Sequence, residues 1–281
     1  MVTPIRDVSG RLEGRVAIVT GGGWNVGQAI ARGIAAEGAR VVVASRREDR
    51  LDESVQLIRD AGGEAIAVPT DVTDLAQVES LVDRAITEFG TVDIMAAIAG
   101  GGGIFEPVDE IDPADWERCI HTNLFSTFYS ARAVLPVMRE KNAGIILTCA
   151  GGGAFFPMID VAATAYACAK AAICRFTDQL TAELLDTEIR VNCIEPGHVL
   201  NSEKLAAMEA EEVRTGSAHP AREYAREPSE AADLAVWLAS DESSPLRGRV
   251  VSATDSWWKD PEKVWYAHHT EHYYRLRRFT P

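Results

Sequence analysis

Seven short runs of β-branched and small apolar residues, each followed or preceded by a stretch with helical periodicity, restrict this chain to a narrow set of folds. The runs are RVAIVT (15–20), RVVVAS (40–45), EAIAVP (64–69), VDIMAAIA (92–99), GIILTCA (144–150), IRVNCIEP (189–196) and RVVSAT (249–254). Unbroken apolar runs of this length suit strands buried on both faces. In the first interval Val26, Ile30 and Ile34 share one helical face, and Leu51, Val55 and Ile58 do so in the second. Leu75–Phe89, Asp115–Met138, Ala162–Leu185 and Ser229–Ala239 repeat at the same spacing. Alternating strands and helices give parallel strands, right-handed crossovers and helices on both faces. The expectation is one doubly wound α/β domain over residues 1–254, built on a seven-stranded parallel sheet.

Two stretches break the rhythm. Residues 200–227 are polar and helix-prone without a strong apolar stripe, which suits a cap over a site. Residues 255–281 carry Trp257, Trp258, Trp265, Tyr266, Tyr273 and Tyr274, too apolar a group to stand free in water. They are expected to pack on their own subunit or, preferentially, on a neighbouring copy, which makes a homo-oligomer (dimer or tetramer) the expected assembly.

A net charge of −14 argues against nucleic acid or an anionic membrane surface as a partner. No apolar run reaches the length of a membrane span. The five cysteines form no CxxC pair and are odd in number, which favours reduced thiols in a cytoplasmic protein over a disulfide framework. The first fifteen residues contain no apolar core, so no signal peptide is expected. A small-molecule substrate is the partner this composition leaves.

The first run leads into TGGGWNVGQAI (20–30). Glycines at a strand-to-helix turn let backbone amides approach a pyrophosphate, and the helix N-terminus favours its charge. At the end of the second run stand Ser45, Arg46 and Arg47 rather than an acid that would hold a ribose 2′-hydroxyl. A guanidinium there can pair with a 2′-phosphate, so NADP(H) is preferred, with NAD(H) the alternative. Tyr166 and Lys170 lie four residues apart on one helical face, a plausible proton-transfer pair. A free phenol ionises near pH ~10, so acting as a base near neutrality needs a fall of about three units.

Together these motifs resemble the short-chain dehydrogenase/reductase family over roughly residues 13–252, with its Rossmann-type sheet. TGGGWNVG is similar to that family's TGxxxGxG turn, carrying Thr20, Gly21, Val26 and Gly27, with Asn25 in place of the middle glycine. Asp71 and Val72 match the pair beside the adenine. AIAG (97–100) keeps Ala99 and Gly100 of NNAG, and Asn123 resembles the asparagine that anchors a proton-relay water. YACAK is an intact YxxxK, and VNCIEPGHV brings Pro196, Gly197 and Val199 to the nicotinamide end. The resemblance implies hydride transfer between a secondary alcohol and a ketone, with Tyr166 as acid and base, Lys170 tuning it and holding the ribose, and Asn123 anchoring the relay.

The family's catalytic serine falls on Ala150 in this alignment. Thr148 shares that face of the strand, Cys149 points away, and the amides of Gly151–Gly153 are further possible donors. Losing one donor to a developing oxyanion costs about 10²–10³ in rate, which leaves a working but atypical enzyme. Two other readings stay open: a dinucleotide-binding sensor or scaffold without turnover, and an internal-redox isomerase or dehydratase. Glu195, just before Pro196, either faces the nicotinamide end, where it could hold a substrate amine or hydroxyls or share a proton with His198, or turns to solvent. HHTEH (268–272) formally fits a zinc-hydrolase pattern but lacks the helix-and-sheet setting that pattern needs, so no metal is expected.

Overall fold

The computed structural model describes residues 10–101, 105–200 and 202–270. All seven runs become strands, the first six being β1 (Val16–Thr20), β2 (Arg40–Ser45), β3 (Ala65–Pro69), β4 (Ile94–Ala97), β5 (Gly144–Cys149) and β6 (Ile189–Glu195). Two short strands follow, β7 (His198–Val199) and β8 (Ala225–Arg226), and then β9 (Val250–Ser252). The main sheet is parallel throughout, in the order β3-β2-β1-β4-β5-β6-β9. Side-chain alternation gives it two buried faces. Ala17, Val19, Val41 and Val43 join one core, and Val16, Ile18, Val42 and Ala44 join the other.

The helices are α1 (Asn25–Ala36), α2 (Glu48–Asp60), α3 (Leu75–Phe89), α4 (Pro113–Ile120), α5 (Ser126–Glu140), α6 (Thr164–Glu183), α7 (Ser202–Thr215), α8 (Pro228–Ala239) and α9 (Pro261–His269). Ile30 and Ile34 of α1 and Leu234 and Leu238 of α8 cover the first face. Leu81 and Ala85 of α3 with Val134 and Met138 of α5 cover the second. Because β1 pairs with both β2 and β4, chain order reverses beside it. In open α/β sheets that reversal leaves a crevice at the carboxyl ends of the strands.

Three local features depart from the sequence pattern. The helix expected over 115–138 is interrupted by a π-helical turn, His121–Phe125. The Asn123 amide explains it, donating to the Cys119 carbonyl (2.9 Å) and, across the crevice wall, to the Gly101 carbonyl (3.0 Å). Strand β4 stops at Ala97, and the Ala99 N–H then donates to Thr20 Oγ1 at 3.2 Å, folding the chain over the end of β1. The aromatic segment joins the core on the first face of the sheet. Trp257 and Trp258, each 6% exposed, sit 6.4 and 5.5 Å from the Trp237 ring of α8. Helix α9 is capped by Asp260, whose carboxylate accepts from the Glu262 N–H, and its far end is held by the buried Arg249 guanidinium donating to the Ala267 carbonyl (2.7 Å). Three clustered rings carry no period, so hydrophobic spacing does not reveal them. Trp265 and Tyr266 remain exposed. Tyr273, Tyr274 and the Glu271 and His272 of HHTEH lie outside the described residues. Among the described residues no helix is long and apolar enough to cross a membrane.

Candidate active site

A cleft of about 510 Å³ opens at the reversal point. Gly21, Asn25, Val26 and Gly27 line it from the turn after β1, and Ser45 and Arg46 from the end of β2. Asp71 and Val72 come from beyond β3, and Ala99 and Gly100 from beyond β4. Tyr166 and Lys170 of α6 stand at the other end with Pro196, Gly197 and Val199. Thr20 and Asn123 stand behind this lining and shape it. Thr20 Oγ1 holds the Ala99 amide, and Asn123 grips Gly101 at both its N–H (3.2 Å) and its carbonyl. Asn123 is fully buried, and both of its amide hydrogens are used on backbone carbonyls.

The first turn has the form an anion cradle requires. A side chain on Gly21 would stand 2.9 Å from Ala99 Cα, and one on Gly27 would stand 2.1 Å from the Gly21 carbonyl oxygen. Asn25 adopts φ 47°, the left-handed conformation in which asparagine most readily substitutes for glycine. No side chain caps the N-terminus of α1, so its first-turn N–H groups stay available to a phosphate. Further along, Ser45 Oγ is buried without a partner. Arg47 is engaged by Asp49 at 2.6 Å, while Arg46 has no ion-pair partner within reach among the described residues. The Thr73 backbone and hydroxyl, together with the Arg46 charge, hold Asp71 below the usual carboxylate range. These residues fit a dinucleotide. Sequence reasoning missed Trp24 and Arg50, which also line the cleft, the guanidinium lying 4.0 Å from the centre of the indole ring. Arg50, four residues beyond Arg46, was within reach of a spacing argument.

At the other end, Lys170 is 3% exposed and its Nζ donates to the Cys149 carbonyl at 3.0 Å, 5.6 Å from the centre of the Tyr166 ring. The Tyr166 phenol is pushed above its ordinary range, first by burial and then by the negative potential of Cys149, Cys119 and Glu195. In the chain alone, burial outweighs the acidification expected from the neighbouring ammonium. Burial also raises the Cys149 thiol to about 11.

Ala150 still pairs as strand, its N–H donating to the Ile194 carbonyl at 2.8 Å, and it belongs to a buried cluster with Ile173, Cys174 and Cys193 while also lining the cleft. The chain turns only afterwards. A Cβ on Gly151 would lie 2.4 Å from Tyr166 Oη, so Gly151, which has no side chain, also faces the phenol. Thr148 does not approach, because its hydroxyl bonds Thr177 of α6 at 2.6 Å. Cys149 shares the opposite core with Ile98 and Ile194.

A second chamber of about 510 Å³ begins at Gly151 and is bounded by Phe155, Phe156, Glu195 and Asp255. Glu195 is half-buried, and its hydrogen bonds go to groups other than His198. Its Oε1 accepts the Gly197 N–H at 3.0 Å and its Oε2 accepts the Ser252 hydroxyl. Phe105 meets the Tyr166 ring edge-on at 6.3 Å, and Phe156 and Ile159 are 81% and 75% exposed. The approach to the phenol is thus apolar. A buried neutral phenol beside an ammonium can hand a proton to an oxygen that gains charge in a low-dielectric pocket.

Comparison with known proteins agrees with this geometry. The sequence pattern of the short chain dehydrogenases matches residues 15–212. The 7alpha-hydroxysteroid dehydrogenase of Escherichia coli (strain K12) is 33% identical over 244 residues, 87% of this chain and 94% of that protein. The 3beta-hydroxysteroid dehydrogenase 1 of Eggerthella lenta is 36% identical over 242 residues, 84% of this chain and 91% of its own length. A solved 7 alpha-hydroxysteroid dehydrogenase in complex with NADH and 7-oxo glycochenodeoxycholic acid superposes with a TM-score of 0.76 at 32% identity, covering 89% of this chain and 96% of that one.

Proposed function

Since this chain belongs to the short-chain dehydrogenase family, and is as such an NAD(P)-dependent dehydrogenase/reductase, we propose that it interconverts a secondary alcohol and a ketone using NADP(H) in preference to NAD(H). The observation that supports this most is the meeting, in one cleft, of the glycine turn after β1 with the Tyr166 and Lys170 side chains of α6. A bound dinucleotide supplies or accepts the hydride. The chain's own residues do the rest. Tyr166 Oη protonates the carbonyl oxygen as it becomes an alkoxide and takes the proton back in the oxidative direction. Lys170 places its charge at that end and holds the ribose. Asn123 fixes the loop after β4, and with it the wall against which the reacting groups stand.

The preference for NADP(H) rests on Ser45 Oγ and the Arg46 guanidinium, two groups at the end of β2 suited to a 2′-phosphate. The apolar approach past Phe155 and Phe156 favours a bulky alicyclic substrate, and two relatives at comparable identity are hydroxysteroid dehydrogenases. The test is a panel of oxo- and hydroxysteroids and simple ketones, with NADPH and NADH consumption followed for wild type and Arg46→Ala. The expected result is turnover with an alicyclic ketone and a loss of about tenfold in kcat/KM for NADPH in the variant, with NADH little changed. Unaltered use of NADPH by Arg46→Ala would contradict the cofactor assignment.

A further inference from the structure

The turn that follows β6 has to hold an unusual course. Gly197 takes φ 78°, and a side chain there would meet Arg226 on one side and Thr254 on the other, each at 3.1 Å. Pro196, Gly197 and Val199 line the cleft, while Glu195, the residue before them, faces the second chamber. Two anchors tie Glu195 down. One carboxylate oxygen takes the Gly197 N–H, and the other takes the Ser252 hydroxyl of β9, which in turn touches Thr254 Oγ1 at 2.9 Å. Among the described residues Glu195 has no ion-pair partner, so its two acceptor contacts, not a salt bridge, define its place.

We infer that Glu195 is a positioning residue: by bridging the Gly197 amide to Ser252 it locks the turn over 196–199 against β9 in the shape that receives the dinucleotide. This rests on the proposed use of a dinucleotide. It requires the reach of a five-atom side chain and two acceptor contacts, and it does not require charge. A glutamine meets that requirement. Its amide oxygen can take the Gly197 N–H, its NH₂ can donate to Ser252 Oγ, and the Ser252 hydroxyl can turn toward Thr254. An aspartate keeps the charge but is one methylene short and cannot span both anchors. Glutamine and aspartate therefore separate positioning from an electrostatic role, such as holding a substrate amine.

The experiment measures NADPH and NADH affinity by fluorescence titration for wild type, Glu195→Gln, Glu195→Asp and Glu195→Ala, with the thermal midpoint of each protein recorded without ligand. The expected result is a dissociation constant within about threefold of wild type for Gln and about tenfold or more weaker for Asp and Ala. Retained affinity in Asp with loss in Gln would overturn the inference, as would equal weakening or no change in all three. Ser252→Ala removes one anchor without touching Glu195, and decides the matter if a Glu195 variant fails to fold. It should weaken binding by about threefold or more, and an unchanged constant would overturn the inference. Wild-type protein that binds neither dinucleotide would instead refute the proposed function.

Discussion

At the scale of single residues, the account turns on Tyr166 and on what stands beside its hydroxyl. Burial favours the neutral phenol, so the form that donates a proton to a ketone is the abundant one near neutrality. The phenolate needed to accept a proton from an alcohol is scarce there. Reduction should therefore be flat across neutral pH, while oxidation should climb with pH toward the alkaline range; kcat/KM profiles in both directions check this. An oxidation plateau already reached near neutrality would contradict it. Gly151 supplies a second prediction. A side chain at 151 would intrude to 2.4 Å from the phenolic oxygen, so Gly151→Ser should slow turnover by about tenfold or more by displacing Tyr166. Ala150→Ser, the substitution the family alignment suggests, tests whether a hydroxyl on the cleft wall that Ala150 shares with Tyr166 raises the rate of reduction. Faster reduction in either variant would show that a missing hydroxyl is the limit on rate. The motif residues were legible because each has a fixed place relative to a strand end. The place of Gly151 opposite the phenol was not legible, because β5 keeps its pairing to Ile194 through Ala150, and sequence does not record where a strand releases its last hydrogen bond.

At the scale of elements, every strand of the main sheet was readable as an apolar run, because strands buried on both faces have no polar side to obscure them. The π-helical turn was not, because Asn123 makes it through a contact with Gly101, 22 residues away in sequence. The packing of the tryptophans was hidden for another reason: Trp257 and Trp258 join the core beside Trp237, and a lone aromatic triplet has no repeat for a periodicity argument to detect. Removing one ring should be costly. Trp258→Ala should destabilise the fold by about 3–5 kcal/mol, measured by denaturant titration, with the dinucleotide affinity of the folded protein unchanged. A loss below about 1 kcal/mol would mean that the cluster is not a core.

At the scale of the whole molecule, the proposed site lies where the order of the sheet reverses, between strand ends anchored in two buried faces. The aromatic segment bears on assembly as well as stability. Because Trp257 and Trp258 are buried within their own chain, truncation at Thr254 would strip out part of the fold and cannot isolate a contact between copies. Among the described residues of the segment, Trp265, 62% exposed, and Tyr266 are the exposed large aromatics available to make one. We propose that they contribute to a homo-oligomer. The double substitution Trp265→Ser and Tyr266→Ser should lower the mass found by sedimentation while leaving the thermal transition of the subunit in place. Unchanged mass would assign the assembly, if there is one, to another surface.

The central claim is that one phenol moves the proton while a hydride crosses. It is tested most directly by single-turnover reduction of a ketone substrate with prebound NADPH, comparing wild type with Tyr166→Phe. The account predicts a fall in the hydride-transfer rate of about 10²–10⁴, with NADPH bound as tightly as before. A variant that reduces the ketone at the wild-type rate would contradict it.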